Sequence, residues 1–353
     1  MAKIIECVPN FSEGRDKAVI RQITDAIAAV DGVSLKDVDA GADTNRVVVT
    51  FLGSPEAVLE AAYRSIAKAG ELIDMRDHKG AHPRMGATDV CPFVPVHEVT
   101  MEECAELARH LGGRVGEELG IPVYLYEHAA TRPERRSLAV IRKGEYEGLA
   151  RKLEDPEWVP DFGPKTMNPR SGATVIGARE FLIAYNVNLN TTSRDAANDL
   201  ALELREKGRS VRTGNISPYY YRGEQLRHAE GALCCGSCAA VFAKAEALFA
   251  HVTEAHGYDL LALIELNEQD PKALVGQLVL KPGLFKHCRA LGWEVPEYGR
   301  AQISINLTSY AVTPPHVVLE KARELASARG LVVTGSEIVG LVPLDAILMA
   351  GRY

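Results

Sequence analysis

No stretch of this sequence approaches the roughly 18 consecutive apolar residues that a bilayer-spanning helix needs, which excludes a membrane-crossing segment of that kind. The opening residues, Met-Ala-Lys-Ile-Ile-Glu-Cys, carry an acid where a signal peptide would be apolar, so a cytoplasmic protein with no membrane partner is expected. Positive charge is scarce: 40 Lys and Arg stand against 47 Asp and Glu, a net charge of −7. General nucleic-acid binding needs a basic surface, so none is expected. The seven cysteines are odd in number and three of them, Cys234, Cys235 and Cys238, fall within five residues. That clustering speaks against a disulfide framework and for a metal site. What is present in quantity is ordinary core material, 46% of 353 residues, enough for two to three domains.

Along the chain, strand-like and helix-like stretches alternate. Residues 3–9 read as a strand that ends in the turn Asn10-Phe11-Ser12-Glu13-Gly14, and Val19, Ile20, Ile23, Ile27 and Val30 then recur at helical spacing. Residues 33–38 and 47–52 are predicted strands. Ser54-Pro55 caps a helix to about Ile73, and Thr100 with Glu103 forms a capping box for a helix ending near Gly120. Strands at 88–96 and 121–126 and a short helix at 145–153 complete the first half. Between Glu154 and Gly172 periodicity fails amid Pro and Gly, which marks a linker or binding loop. Strands on both sides of residues 177–179, a helix at 193–206, a strand at 302–307 and a helix capped by Thr313-Pro314 follow, with short strands or turns at 331–333 and 340–342. Three strands end in an Asn-rich polar turn, at Val8-Pro9-Asn10, Val187-Asn188-Leu189-Asn190 and Ile305-Asn306-Leu307, which suggests a weak internal repeat. Two similar α/β sandwiches with helices on one face of each sheet are expected, in an α+β chain divided at 178/179.

Two stretches carry chemistry. The loop Asp74-Met-Arg-Asp-His-Lys-Gly-Ala-His-Pro-Arg-Met-Gly-Ala-Thr-Asp89 crowds imidazoles, guanidiniums and glycines against a predicted strand, poor material for a core and typical of reactive side chains presented on a loop. The other is Cys235-x2-Cys238-x12-His251-x4-His256, the spacing of a Cys2His2 zinc finger, with Phe242 and Leu248 where that module places its core pair. Four such ligands close a tetrahedral shell, so structural Zn2+ is expected. The finger, residues 233–256, would brace an insertion at about 209–279, with Tyr219, Tyr220, Tyr221 and a helix after Asp270 packed beside it. Its base-facing positions are Lys244, Glu246, Ala247 and Ala250, which lack the donors that read bases.

The ordered motifs Cys7-Val-Pro-Asn-Phe-Ser-Glu-Gly-Arg15, Asp39 through Asn45-Arg46, His78-Lys-Gly-Ala-His-Pro-Arg-Met-Gly86, Asp161-Phe-Gly-Pro164, Pro169-Arg-Ser-Gly-Ala-Thr174 and Ala184-Tyr-Asn-Val-Asn-Leu189 resemble glutamate formimidoyltransferase. The resemblance covers residues 3 to about 205 and resumes from about Pro282 to Ala346. It implies two ferredoxin-like α/β sandwich subdomains, 1–178 and 179–353, with a ligand tunnel between them, and formimino transfer from N-formimino-L-glutamate to tetrahydrofolate. The inserted finger departs from the animal enzymes and is similar to some bacterial relatives. The chain stops before the animal enzymes' cyclodeaminase domain, so no deaminase activity is expected. A homodimer is the expected assembly.

By motif match the catalytic histidine falls on His82, expected near its ordinary pKa of about 6.5, with His78 as an alternative base or a structural donor. Asp39 would orient the imidazole or hold the cationic formimino group. The folate segment falls on Gly163, Pro164, Lys165, Thr166, Met167, Asn168, Pro169, Arg170, Ser171 and Gly172. Arg84, Arg46 and Arg170 are candidates for the substrate carboxylates, where a planar fork binds in bidentate fashion, and Asn10 and Asn188 are expected near the tunnel. Rival readings are a formyltransferase joining 5-formyltetrahydrofolate and glutamate, an inactive folate-binding relative, and a zinc-finger interaction or nucleic-acid-binding protein.

Overall fold

A computed structural model describes residues 2–80, 82–214, 223–295 and 299–353. The expected Tyr219, Tyr220 and Tyr221 cluster lies outside them. The chain divides into two compact units, Met1–Glu180 and Phe181–Tyr353. No described helix is long and apolar enough to cross a membrane.

The first unit begins with two short collinear strands, β1 (Ile4–Cys7) and β2 (Asn10–Phe11), followed by α1 (Lys17–Ala28), the hairpin β3 (Val33–Gly41) and β4 (Arg46–Gly53), α2 (Pro55–Leu72), β5 (Thr88–His97), α3 (Met101–Glu118), β6 (Val123–Glu127), α4 (Leu138–Arg142), α5 (Glu145–Glu154) and β7 (Thr174–Ala178). The β1/β2 line sits between β4 and β5, antiparallel to both, with β3 outside β4. That is a β-α-β-β-α-β unit, which β7 and then β6 extend in parallel. The local signals act as their chemistry requires: Ser54 accepts from the Ala57 N–H ahead of Pro55, and the Thr100–Glu103 capping box is reciprocal.

Alternation along the strands sorts side chains to two faces. Ile5, Cys7, Phe11, Val47, Val49, Phe51, Cys91 and Phe93 pack under α1, α2 and α3. On the opposite face Val90, Tyr124, Tyr126 and Val175 are covered by Met85, Ile141, Leu149 and Leu153. The expectation of helices on one face alone is thus corrected for this unit. The five-residue α4 and the ten-residue α5, with their apolar residues at 141, 149 and 153, cap the β5/β7/β6 end of the second face.

The second unit runs β8 (Ile183–Leu189), α6 (Arg194–Leu204), β9 (Arg209–Ser210), β10 (Leu233–Cys234), β11 (Val241–Phe242), α7 (Ala245–His256), α8 (Leu260–Leu266), β12 (Leu280–Lys281), β13 (Cys288–Val295), β14 (Arg300–Leu307), α9 (Pro315–Ser327), β15 (Val333–Val339) and α10 (Leu344–Arg352). Its main sheet has the order β13-β14-β8-β15, again a β-α-β-β-α-β path, with a long excursion between α6 and β13. The β9–β12 ladder pairs Arg209 with Lys281 and Ser210 with Leu280, so the excursion leaves and returns at neighbouring points.

Two sequence expectations fail here. The helix after Asp270 is instead α8, ending before Asp270: Asp259 caps its start by accepting from Ala262, and Glu268 takes a left-handed φ of 60° just beyond its end. The helix at Pro315 is not capped by Thr313, whose hydroxyl donates 2.6 Å to the Lys286 carbonyl.

Candidate active site

Asn45, at a left-handed φ of 48°, ties three segments together. Its Oδ1 accepts from the Gly14 N–H at 3.0 Å and its Nδ2 donates to the Lys79 carbonyl at 3.0 Å. Its own carbonyl accepts from His78 Nε2 at 2.9 Å. Gly80 lies so close to the β3–β4 turn that an added Cβ would stand 2.2 Å from the Thr44 carbonyl oxygen. This is how the turn before β4 fixes the loop that carries His82.

His78 is a structural donor. With its Nε2 proton committed to Asn45, its Nδ1 accepts from Arg84 Nε at 3.2 Å. Arg84 in turn is saturated: Nη1 reaches Glu145 and Glu147 at 3.0 and 2.9 Å, and Nη2 reaches Glu147 at 2.6 Å and the His78 carbonyl at 3.4 Å. A guanidinium has five N–H donors, and all five are spent inside the protein. Arg84 therefore fastens α5 to the loop, with no N–H left over for the substrate carboxylate it was expected to clamp.

His82 stands on the other side of Pro83. Its Nε2 lies 2.7 Å from Arg46 Nη1. Guanidinium only donates, so Nε2 is the acceptor and the imidazole is neutral, its proton on Nδ1 beside the Pro83 carbonyl. Burial first, then the Arg46, Arg142 and Arg84 cations, lower the pKa to about 3. The expectation of an ordinary value is corrected: three guanidiniums surround a half-buried ring. Arg142, at the end of α4, forms a two-pronged ion pair with the buried Asp89, which also accepts from the Met85 N–H at 3.0 Å.

Cross-strand pairs share a face, and the register Asp39–Val48–Asn10–Val90 places Asp39 and Asn10 in one row. Arg46 lies two residues from Val48, on the same face. Asp39 is close enough to Arg46 to favour its charge. Asn10 Nδ2 donates to the Val8 carbonyl at 3.1 Å.

Residues Gly163–Gly172 divide in two. Gly163 packs on α3, where its Cα lies against Gly116. From Asn168 the chain turns toward the His82 loop: Asn168 Oδ1 accepts from the Arg170 and Ser171 N–H groups, Gly86 bridges to Gly172, and the Ala87 N–H donates to the Ser171 carbonyl at 2.8 Å. Gly172 has φ +68°, and an added Cβ would stand 2.2 Å from the Met85 carbonyl oxygen. Arg170 donates to the Gly70 and Glu71 carbonyls at the end of α2, a helix-terminus role. Sequence reasoning missed Arg142 and its tie to Asp89; a lone arginine closing a five-residue helix carries no pattern.

In the second unit the ligating atoms of Cys235, Cys238, His251 and His256 all lie within 4.8 Å of one another. Cys238 Sγ and His251 Nε2 are 3.2 Å apart, and His256 Nε2 is buried with no protein partner. Ser237 N–H donates to Cys235 Sγ at 3.4 Å, as thiolate sulfurs are supported in closed sites. Phe242 and Leu248 pack beneath with Leu233, Val252 and Leu263. The donor set and its spacing fit a four-coordinate zinc ion.

Two β-α-β-β-α-β units, one presenting a neutral imidazole among guanidiniums, define a two-unit protein of mixed α/β architecture. Residues 4–179 match the family described as formiminotransferase domain, N-terminal subdomain, and residues 184–353 the formiminotransferase domain. The chain belongs to the formiminotransferase family. It is 44% identical over its whole length to formimidoyltransferase-cyclodeaminase of Gallus gallus, covering 52% of that protein. It is 38% identical to the glutamate formimidoyltransferase of Thermoplasma acidophilum and 34% to that of Streptococcus pyogenes serotype M1, spanning 91% and 93% of those proteins and 99% and 100% of itself. The chain thus spans about half the length of the cyclodeaminase-bearing relatives.

Proposed function

We propose that this protein transfers the formimino group from N-formimino-L-glutamate to tetrahydrofolate. The observation that carries the reading is His82: a neutral imidazole on a loop pinned by Asn45 and Gly80, in a chain whose two halves match the formiminotransferase domains. N5 of tetrahydrofolate adds to the amidine carbon. A tetrahedral intermediate forms, and glutamate leaves through its nitrogen. The proton lost by N5 is the one the departing nitrogen gains, so a single base that accepts and returns it suffices. His82 takes that role, worth on the order of 10² to 10⁴ in rate. Asp39 faces the same side of the sheet as Arg46 and attracts the cationic amidine. Asn10 supplies an amide oxygen in the same row. Asn168–Gly172, which abuts Gly86, is the part of the Gly163–Gly172 segment closest in sequence and contact to the His82 loop, and folate is proposed to lie along it.

Cys235, Cys238, His251 and His256 would hold a zinc ion. A closed Cys2His2 shell supplies folding energy and leaves no open position for substrate.

The test is spectroscopic formation of 5-formimino- and 5,10-methenyltetrahydrofolate from formiminoglutamate, run beside 5-formyltetrahydrofolate plus glutamate. Product from the first pair at a rate above the second supports the proposal; turnover confined to the formyl pair overturns it.

A further inference from the structure

The donors left over around His82 define a site of their own. Arg46 gives one Nη1 hydrogen to His82, and among the described residues its Nε and Nη2 have no hydrogen-bond partner. Arg142 spends Nε and Nη2 on Asp89, and among the described residues its Nη1 has no partner. Both guanidiniums are tied to the one loop: Arg46 is bonded to His82, and Arg142 is held by Asp89, whose carboxylate also accepts from the Met85 N–H three residues beyond His82. In keeping with this, Arg142 lowers the pKa of Arg46, after burial, and both act on His82. Asp89 from β5 and Asp39 from β3 oppose them in charge, and Arg84, the other cation acting on the ring, is consumed by Glu145 and Glu147.

We propose, resting on the reaction given above, that Arg46 and Arg142 together bind a carboxylate of the glutamate moiety, and that this anion frees Nε2 of His82 by drawing the Arg46 N–H away from it. Without substrate, Arg46 occupies the lone pair that must take the N5 proton. A carboxylate offers that N–H a stronger acceptor than a neutral imidazole, since hydrogen bonds between ions are about twice as strong. The anion also cancels the cationic field that disfavours imidazolium. The base is therefore switched on by the substrate it serves. Arg142, held rigid by Asp89, is the fixed half of the site, and Arg46 is the half that moves its hydrogen bond.

The test reads His82 directly. Imidazole NMR titrations of the full chain, with the His82 signal assigned by its loss in His82→Gln, are recorded with and without glutarate, a five-carbon dicarboxylate. Glutarate is expected to raise the His82 midpoint by about one pH unit or more, and Arg46→Gln to raise it in the free protein and remove the response to glutarate. Arg142→Gln should raise KM for formiminoglutamate at least about tenfold while KM for tetrahydrofolate is unchanged. Because Arg142→Gln orphans the buried Asp89, the Asp89→Asn/Arg142→Gln pair, which substitutes an amide pair, is measured beside it and should show the same KM change. Glutarate binding that leaves His82 unmoved, or a folded double variant with an unaltered KM for formiminoglutamate, overturns the proposal. A glutarate-linked shift in a protein that fails to transfer the formimino group would keep the anion site and overturn the reaction.

Discussion

His82 and Arg84 are two positions apart and have opposite fates, and the difference lies in which partners the fold brings to them. Arg84 meets two carboxylates from α5 and a neutral histidine; His82 meets cations. Replacing His82 with Ala is expected to lower turnover at least about a hundredfold with an unchanged circular dichroism spectrum; near-normal turnover would show that another group moves the proton. The sign of the pH effect on stability follows from the lowered pKa. The unfolded chain binds a proton at His82 near pH 6.5 and the folded chain only near pH 3, so between those values the unfolded state holds more protons. The resulting stability is complete above about pH 6.5 and is lost as pH falls toward 3, at up to about 1.4 kcal/mol per unit. Urea melts at pH 7 and pH 5 should therefore show a smaller acid loss in His82→Gln than in the natural chain. Equal losses would mean that the ring is not held neutral.

At the scale of elements, glycines and buried ion pairs do the joining. Gly86 and Gly172 allow the His82 loop and the Asn168–Gly172 turn to touch, because a Cβ on Gly86 would stand 2.3 Å from the Ala173 carbonyl oxygen. Gly86→Ala is expected to reduce turnover at least about tenfold by displacing the loop, with urea m-values unchanged; full activity would show that the contact is dispensable. In the second unit the fully buried Asp199 of α6 binds Arg209 at 2.6 Å and Arg329 at 2.8 Å. Arg209 is the first residue of β9, so this pair roots the excursion against α6 and the end of α9. Asp199→Ala removes the carboxylate shared by two buried guanidiniums, leaving them the Glu203 carboxylate at 3.5 and 3.9 Å, and should cost about 1.5–3 kcal/mol in a urea melt.

At the scale of the molecule, the same β-α-β-β-α-β path occurs twice and each copy is elaborated differently, by two parallel strands in one unit and by the 211–279 excursion in the other. The excursion's core of Leu233, Leu248, Val252, Leu260, Leu263, Ile264, Leu274 and Leu280 is small, and small cores depend on staples such as a metal. Removing zinc, or Cys235→Ser, should lower the melting temperature of the excursion while retaining formimino transfer at temperatures where the chain stays folded. Loss of turnover in folded, metal-free protein would assign the metal a part in the chemistry.

Much of this molecule is local, and locality is what a sequence records. Capped helices such as α2 and α3, the hairpin β3–β4, and the Cys235–His256 spacing follow from neighbouring residues, since caps, turns and ligand spacing operate within about a dozen positions. The loop from Asp74 to Asp89 stood out as a candidate for the same reason, by its composition. β13 and β15 were not read as strands, because Gly292 and Gly335-Ser336-Glu337 interrupt the apolar alternation; β13 pairs with the neighbouring β14, whereas the partner of β15 is β8, far away in the chain. The division of labour among the charged residues also depended on tertiary structure. Whether Arg84 is free or saturated, whether His82 sits at an ordinary or a lowered pKa, and whether Arg142 belongs to the site at all depend on contacts across 36 to 63 positions. The sequence by itself determined which residues could do chemistry; packing decided which still have a donor, or a lone pair, left to do it with, because a hydrogen-bonding group can be claimed by only as many partners as it has protons and lone pairs.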